Sequence, residues 1–419
     1  MSKKIYLTAE GTGDGRTADT AGQLDGFSSS LDAANGPGGA VFMIFPSTRE
    51  TFWAWEKTQA RTSVTGAPDA PFLLAFVTSN PPLAESNFNL APPPFPVLRH
   101  LRTDFPVRDM PDPSGLPFLV FENSAYLDVS GPFFHGAGAK GFYRIHGPAK
   151  QLRFHNIRAH MAGRVIETDD TAEIDGLSVS NCTAYGVIRG FARFHGLSNA
   201  LFDTLDLDAA GVDGGGTRVC QLISVVRGTD LKFRNVHLRN GINLINAEER
   251  GSTYVQGDGV VLEEETSHAS FENCHARDMG DAGFDLKCDG ITLEQCSTAR
   301  CKYGVRIWRA RNENRLVSCH FSQPTPRPKN AAACLWVGGR ASLEACHLKS
   351  APGTSAIRFG KGPDTKERQV IMKGGDIDLS EGSTLLAGEP GQLVLDHVRL
   401  NGSLTTGIAR WTGTELLRG

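Results

Sequence analysis

The chain has 419 residues, which is enough for two or three ordinary domains or for one long repeat domain. Its 43 Lys and Arg residues almost balance its 46 Asp and Glu residues, which argues against a nucleic-acid-binding or membrane-binding surface. No apolar run approaches the ~18 residues of a membrane span, and the N-terminal sequence lacks the apolar core of a signal peptide. The sequence as given therefore predicts a cytoplasmic protein, or an exported one if the N-terminus has been processed.

A proline-rich segment occupies residues 46–117. Between Pro68 and Pro117 the prolines recur every few residues. Proline has no backbone N–H to donate to a β-ladder, so it is disfavoured inside strands. We expect this segment to be an irregular insertion that lies over the early part of the fold.

An internal repeat fills residues 118–405. Five cysteines each end a short run in which apolar and polar residues alternate, as in LSVSNC, ASFENC and ITLEQC. The last four recur at intervals of roughly 22–27 residues, a period typical of solenoid repeats. Further runs fit the same frame with another apolar residue in place of the cysteine. The cysteines are Cys182, Cys274, Cys296, Cys319 and Cys346, and the substitutes are Ile157, Leu205, Val236 and Val398.

Period-two alternation with no helical pattern between the copies predicts a parallel β-solenoid. Stacked coils would bury one side of every repeat in a continuous core. Asn156, Asn181, Asn235 and Asn273 each precede the inward residue, where asparagine tolerates the left-handed backbone of a tight turn. The nine cysteines show no CxxC spacing, so we expect the repeated ones to be small buried hydrophobes.

The asparagine turns, the inward stacks and the N-terminal segment GDGRTADTA together resemble the right-handed parallel β-helix, or pectate-lyase-like, superfamily. In that superfamily such a segment precedes an amphipathic helix, here at Leu24, Phe27 and Leu31, and then a strand, here Gly38–Phe45. The resemblance implies an all-β fold, a single-stranded right-handed parallel β-helix with an N-terminal capping helix. One domain would span residues 1–419, with a cap at 1–45, the insertion at 46–117, coils at 118–405 and a C-terminal tail at 406–419.

One strand of each coil carries charged and aromatic residues on its outer face. In GFDLK, residues 283–287, the apolar Phe284 and Leu286 point inward, so the two charged residues point outward. The long connection 239–258 is expected to form a wall beside this face. Aligning the coils predicts a first outward column of Arg193, Val261, Asp285, Arg306, Cys334 and Arg358, and a second of His195, Glu263, Lys287, Trp308 and Trp336.

Lys287 and Arg306 on consecutive coils are similar to the lysine base and arginine partner of alginate lyases and chondroitinase B. The resemblance implies a polysaccharide lyase that cleaves an acidic, uronate-containing polymer by β-elimination, with Lys287, Arg306, Asp285 and Glu263 as catalytic residues. The arginine is expected to lower the pKa of Lys287 and so let it act as a base. The resemblance to those lyases also implies a Ca²⁺ site at Glu263, Glu265 and Asp285, because acidic residues bind calcium in those enzymes.

Outward tryptophans expose a large apolar ring face on which sugars stack, unless loops 323–332 or 361–368 cover them. The expected partner is a polysaccharide or oligosaccharide, with no nucleic acid and no membrane. We expect a monomer or a homo-oligomer, a trimer among them. The predicted substrate-binding residues are Trp308, Trp336, Arg309, His195, Arg193, Tyr254 and Arg358.

Two other functions stay open. A glycoside hydrolase of the same fold would use paired carboxylates, for which Asp281, Asp285, Glu263 and Glu264 are candidates. A non-catalytic sugar-binding or structural β-helix would need no such pair. Its outward charges would form a solvated ladder of little energetic weight.

Overall fold

The structure is a computed structural model that describes residues 143–418 apart from 161, 214–218, 310–313, 328–330 and 364–367. Nearer the N-terminus it describes residues 3–8, 13–14, 16, 22–23, 40–44, 63–65, 72–76, 119–122, 127–130 and 133–135. The chain divides into two compact units, Met1–Asp206 and Leu207–Gly419. The prediction of one domain therefore stays a prediction, and each unit is described by itself.

Strands make up almost all the regular structure of the described residues. The strands that begin in the first unit are β1 (Lys3–Thr8), β2 (Gly22–Gln23), β3 (Ala40–Ile44), β4 (Ser63–Thr65), β5 (Phe72–Phe76), β6 (Leu119–Glu122), β7 (Leu127–Ser130), β8 (Phe133–His135), β9 (Tyr143–His146), β10 (Pro148–His155), β11 (Arg158–His160), β12 (Ile166–Thr168), β13 (Glu173–Tyr185) and β14 (Ala192–Asp208).

The second unit adds one short helix, α1 (Leu244–Glu249), to its strands. These are β15 (Gln221–Arg239), β16 (Asp258–Glu272), β17 (His275–Arg277), β18 (Ala282–Leu286), β19 (Asp289–Glu294), β20 (Ser297–Ala299), β21 (Tyr303–Ile307), β22 (Arg315–Val317), β23 (His320–Ser322), β24 (Ala333–Val337), β25 (Arg340–Glu344), β26 (His347–Lys349), β27 (Ser355–Phe359), β28 (Gln369–Lys373), β29 (Asp376–Asp378), β30 (Thr384–Gly388), β31 (Gly391–Leu400), β32 (Ser403–Trp411) and β33 (Leu416–Arg418).

Except at the C-terminus, the strands stack as parallel ladders, in which a strand pairs with the strand one repeat further along the chain. In the first unit one ladder runs β6–β9–β12–β14 and another β7–β10–β13. In the second unit three ladders run β18–β21–β24–β27–β30, β19–β22–β25–β28–β31 and β20–β23–β26–β29–β31. The all-β class and the parallel, β-helix-like stacking are thus confirmed.

The repeated cysteines are buried, as their inward position predicts. All nine cysteines are free and buried, and each repeated thiol donates to the backbone carbonyl two residues before it, as Cys296 does to Glu294 at 3.3 Å. The asparagine turns are left-handed too, with φ of 57° at Asn156 and 50° at Asn273. Gln295, Ser318 and Ala345 adopt the same backbone in later coils, so the stacking imposes the turn even without asparagine.

Three predicted segments have different outcomes. The capping helix at residues 24–31 lies outside the described residues. The insertion at 46–117 contains β4 and β5, which pair in parallel with β6 and β3, so those proline-free stretches are not irregular. The segment predicted as a tail, 406–419, contains the end of β32 and all of β33, and β32 pairs antiparallel with both β31 and β33. No helix in the described part of the chain is long and apolar enough to cross a bilayer.

Candidate active site

The outward strands of the second unit set the register of the candidate site. Asp285 pairs with Arg306, Arg306 with Trp336, and Trp336 with Arg358. Trp336 therefore belongs to the first column, and the predicted placing of Cys334 there is wrong. The connections between coils differ in length, so counting along the sequence displaced this coil by two residues.

The second column is confirmed for its central residues. The Lys287 amide donates to Leu262 O and the Trp308 amide to Leu286 O, at 2.8 and 3.2 Å. In a parallel ladder, the residue after an accepting carbonyl lies beside the residue whose amide donates. Glu263 therefore lies beside Lys287, and Lys287 beside Trp308, so the three side chains lie above one another on successive coils.

The connection from β15 to β16, residues 240–257, delivers Tyr254 to this face. Within it α1 is followed by a return segment that ends at Gly257, whose φ is +121°. Only glycine fits there, because a Cβ would overlap the backbone oxygen of Gly241. The Tyr254 hydroxyl donates to Asp281, so the predicted wall is present and its contact is with this aspartate.

Asp281 is the most heavily bonded carboxylate of the site. It is 4% exposed, and its Oδ1 accepts from Lys302 Nζ at 3.1 Å while its Oδ2 accepts from Arg306 Nη1 at 2.9 Å and from Tyr254. Lys302 Nζ also lies 3.8 Å from the centre of the Tyr254 ring. Burial lowers the pKa of Lys302, and the nearby Arg306 adds to that, although Asp281 opposes both.

Asp285 lies within β18, which begins directly after Asp281, and it is equally buried. Its Oδ1 accepts from Trp308 Nε1 at 2.7 Å, and its Oδ2 lies 3.6 Å from Arg306 Nη1 and 3.7 Å from Lys287 Nζ. Burial raises the pKa of Asp285 by more than these two cations lower it. The carboxyl group therefore holds its proton to a higher pH than an exposed aspartate does.

A third aspartate, Asp258, completes what we call the aspartate cluster, Asp258, Asp281 and Asp285. Asp258 is 7% exposed and accepts a hydrogen bond from the Ala282 amide at 2.9 Å. Burial, together with the charges of the other two members, raises its pKa well above the ordinary value. Burying several carboxylates together favours protonation of at least one of them.

Arg306 lies between the aspartates and two indole rings. Its guanidinium carbon is 4.5 Å from the ring centre of Trp308 and 5.0 Å from that of Trp336. Burial alone would lower its pKa, but Asp285 and Asp281 outweigh burial and raise it. Its Nε is buried without a hydrogen-bond partner. Arg306 is therefore a fixed cation held by charge and by cation–π contact.

Lys287 does not have the environment of a base. Its Nζ bonds Glu263 Oε2 at 2.8 Å and lies near Asp285. Burial would lower its pKa, but Asp285 and Glu263 raise it overall. The expectation that Arg306 lowers the pKa of Lys287 is therefore wrong, because two carboxylates lie closer to the ammonium group.

Trp336 does not offer the exposed ring predicted for it. It is 7% exposed and packs with Ala282, Tyr303 and Ala333 in a small apolar cluster on the outer side of the strands. A Cβ on Gly360 would overlap its ring, so the absence of a side chain there makes room for it. Trp308 is half-buried against the same cluster and is the indole nearer to solvent.

The remaining predicted binding residues are dispersed. Arg309 is held at the rim, where its Nη2 bonds Glu264 Oε2 at 2.8 Å. Arg358 is half-buried beside Trp336. Arg193 and His195 belong to the first unit and are described with it below.

The residues predicted to bind calcium do not fit a cation as they stand. Glu263 is bonded to Lys287, and Asp285 is bonded to Trp308 with two cations within 4.0 Å. Glu265 is exposed on β16. Among the described residues no three His, Cys, Asp or Glu side chains converge as a metal site. Calcium stays a prediction, and no step below uses it.

Sequence reasoning missed Asp258, Lys302 and Tyr303. The repeat contained a signal for Lys302, because Ala282 pairs with Tyr303 and the residues before them, Asp281 and Lys302, are then neighbours on adjacent coils. No comparable signal marked Asp258, whose burial depends on the connection that folds back before it.

Comparisons with known proteins do not define a family. The chain matches no protein-family model and no curated protein. The crystal structure of PfbA, a surface adhesin of Streptococcus pneumoniae, aligns with 99% of this chain and 99% of its own, at 12% sequence identity and a TM-score of 0.42. A likeness at that TM-score carries no argument about activity.

Proposed function

We propose that the second unit carries a glycoside hydrolase site whose catalytic carboxylates are Asp281 and Asp285. One observation carries the proposal. Asp281 Oδ2 and Asp285 Oδ2 lie 2.9 and 3.6 Å from the same atom, Arg306 Nη1. The two oxygens are therefore at most about 6.5 Å apart. This upper limit allows the roughly 5–5.5 Å separation of the carboxyl groups in retaining glycosidases and excludes almost all of the ~6.5–9.5 Å range found in inverting ones.

The two carboxylates have the different environments that acid and nucleophile require. Burial raises the pKa of Asp285, and a raised pKa is the shift that a general acid requires. Asp281 accepts hydrogen bonds from Tyr254, Lys302 and Arg306, which fix its orientation. The assignment is therefore Asp285 as general acid and Asp281 as nucleophile.

The chemistry follows in two steps. Asp285 gives its proton to the glycosidic oxygen while an Asp281 oxygen attacks the anomeric carbon, which forms a glycosyl ester and releases the first sugar. The Asp285 carboxylate then takes a proton from water, and that water displaces Asp281 with a second inversion, so the configuration is retained overall. Arg306 stays positively charged throughout and stabilises both carboxylates.

The substrate in this proposal is a polysaccharide or oligosaccharide that contacts Trp308, the indole nearer to solvent. The proposal includes the right-handed, pectate-lyase-like form of the β-helix; the parallel ladders of each unit support the β-helix-like stacking. The oligomeric state, a monomer or a homo-oligomer such as a trimer, stays a prediction. A location outside the cell stays a prediction as well. A lyase that used Lys287 as its base is less favoured, because the pKa of that lysine is raised.

The test is an assay of the purified protein on a panel of neutral and acidic polysaccharides. We expect new reducing ends without the ultraviolet absorbance of an unsaturated sugar, which only a lyase produces. Asp285→Asn should lower kcat about 10²–10⁴-fold, because it removes the proton donor. Asp278→Asn is the matched control and should leave activity unchanged, since Asp278 pairs with Arg300 in the turns directly after β17 and β20.

Product stereochemistry gives a readout that does not depend on whether the variants fold. Proton NMR of the first product should show the substrate's own anomer, as a retaining mechanism requires. The inverted anomer would exclude Asp281 as nucleophile. Unsaturated products would favour the lyase, and saturable binding with no turnover on any polymer of the panel would favour a non-catalytic sugar-binding protein.

A further inference from the structure

The first unit contains a ladder of charged residues unrelated to the aspartate cluster. Arg144 pairs with Glu167 and Glu167 with Arg193 across β9, β12 and β14. Adjacent strands lie about 4.8 Å apart, so the three side chains share a short column on the outer face of that sheet. A fourth residue, Arg164, lies buried behind them with 2% of its surface exposed.

Glu167 is already engaged by two of these arginines. Arg164 Nη1 lies 2.6 Å from Glu167 Oε1, and Arg144 Nη1 lies 2.9 Å from Glu167 Oε2. Arg164 Nη2 also donates to Arg189 O at 2.8 Å. Burial lowers the pKa of Arg164 to about 10, and repulsion from Arg189 and Arg193 contributes although Glu167 opposes it. The column therefore has an excess of positive charge.

Arg193 is the member of the column with unused donors. It is half-buried, and in the part of the chain that the structure describes it forms no ion pair. Its buried Nε has no hydrogen-bond partner. Glu167 faces Arg193 from the adjacent strand but forms its ion pairs with Arg164 and Arg144, which leaves Arg193 donors to bind an oxyanion.

His195 lies two residues along β14 on the same face as Arg193. Its Nδ1 lies 3.0 Å from Thr168 O and 3.2 Å from Thr168 Oγ1; because the nearer carbonyl only accepts, this geometry favours the tautomer with the proton on Nδ1. Nε2 of the neutral ring is then an acceptor. Burial and the charge of Arg193 lower the pKa of His195, so the neutral ring is the form present near pH 7.

We propose that Arg193 and His195 form a binding site for a hydroxyl-bearing oxyanion, such as a sugar acid or a sugar sulfate. Arg193 holds the oxyanion through its planar fork, and His195 Nε2 accepts a hydrogen bond from the neighbouring hydroxyl. The two residues stand about 6.6 Å apart along the strand, a spacing that one pyranose with its substituents can bridge. This site does not depend on the proposed hydrolase, because it uses residues of the first unit alone.

The test is titration of the full-length protein with four probes, followed by NMR or calorimetry. D-glucuronate and glucose 6-sulfate should bind saturably, inorganic sulfate more weakly, and D-glucose not at all. A preference between the first two tells whether the site suits a carboxylate or a sulfate. Arg193→Gln should weaken both sugar anions about tenfold or more, since charged hydrogen bonds are lost.

His195→Asn separates the two parts of the site. Its amide can still donate to Thr168 O, but it lacks the Nε2 acceptor. We therefore expect weaker binding of glucuronate with unchanged binding of inorganic sulfate. Arg153→Gln, at an exposed arginine on β10, is the control for net charge and should change neither. Failure of every probe to saturate, or an equal effect of Arg193→Gln and Arg153→Gln, would overturn the proposal.

Discussion

Replacing Arg306 with glutamine should destabilise the protein strongly, because a buried ion cluster would lose its central cation. The Arg306 side chain is 11% exposed, bonds Asp281 at 2.9 Å and approaches Asp285 at 3.6 Å. Removing one partner of a buried pair costs about 3–5 kcal/mol, since the other charge stays buried without compensation. The loss of contact with the two indoles contributes about 1–2 kcal/mol within that range.

A second arginine in the same unit provides a matched control. Arg300 lies 2.7 Å from Asp278, a shorter ion pair than that of Arg306 with Asp281, but its side chain is 45% exposed. Exposed pairs contribute about 0–1 kcal/mol, because water already stabilises both charges. The exposed pair is thus the closer of the two, so a larger loss of stability at Arg306 would follow from burial and not from the length of the ion pair.

The assay is urea unfolding of wild type, Arg306→Gln and Arg300→Gln, followed by far-ultraviolet circular dichroism. This signal reports the strands and does not depend on the tryptophans that touch Arg306. We expect a large fall in the unfolding midpoint for Arg306→Gln and almost none for Arg300→Gln. Equal shifts, or a loss below about 1 kcal/mol at Arg306, would refute the view that burial decides the strength of these pairs.

Two further outcomes are expected. Because the folded-state pKa of Asp258 is raised, its protonation stabilises the fold below the unfolded value of about 3.9, and that stability is lost as pH rises through the folded pKa. Asp258→Asn does not titrate, so its Tm relative to wild type should rise from pH 5 to pH 9, and a constant difference would contradict the raised pKa. The cysteines should react with a thiol reagent only after the protein unfolds, since all nine are buried. Rapid labelling of Cys296 in the native protein would show that this residue does not lie in the core.

Much of the fold could be predicted from the sequence, because the signals are local and repeated. Alternation of apolar and polar residues fixes which side chains point inward, and it held for Phe284, Leu286 and the repeated cysteines, all buried. Asparagine before the inward residue predicted left-handed turns, and φ is positive at Asn181 and Asn235. A pattern that recurs in every coil needs no knowledge of distant contacts to be read correctly.

The site depended on contacts between coils, which the sequence does not specify. Connections of unequal length placed Trp336 in a different column from the predicted one. A helix-containing connection brought Tyr254 to Asp281 from 27 residues away. The alternation correctly placed the charged residues on the outer face of the strands. How deeply they are buried depends on the segments that fold over that face. Protonation follows burial and the nearest charges, so only the tertiary structure could decide that Lys287 is a paired cation and Asp285 a buried acid.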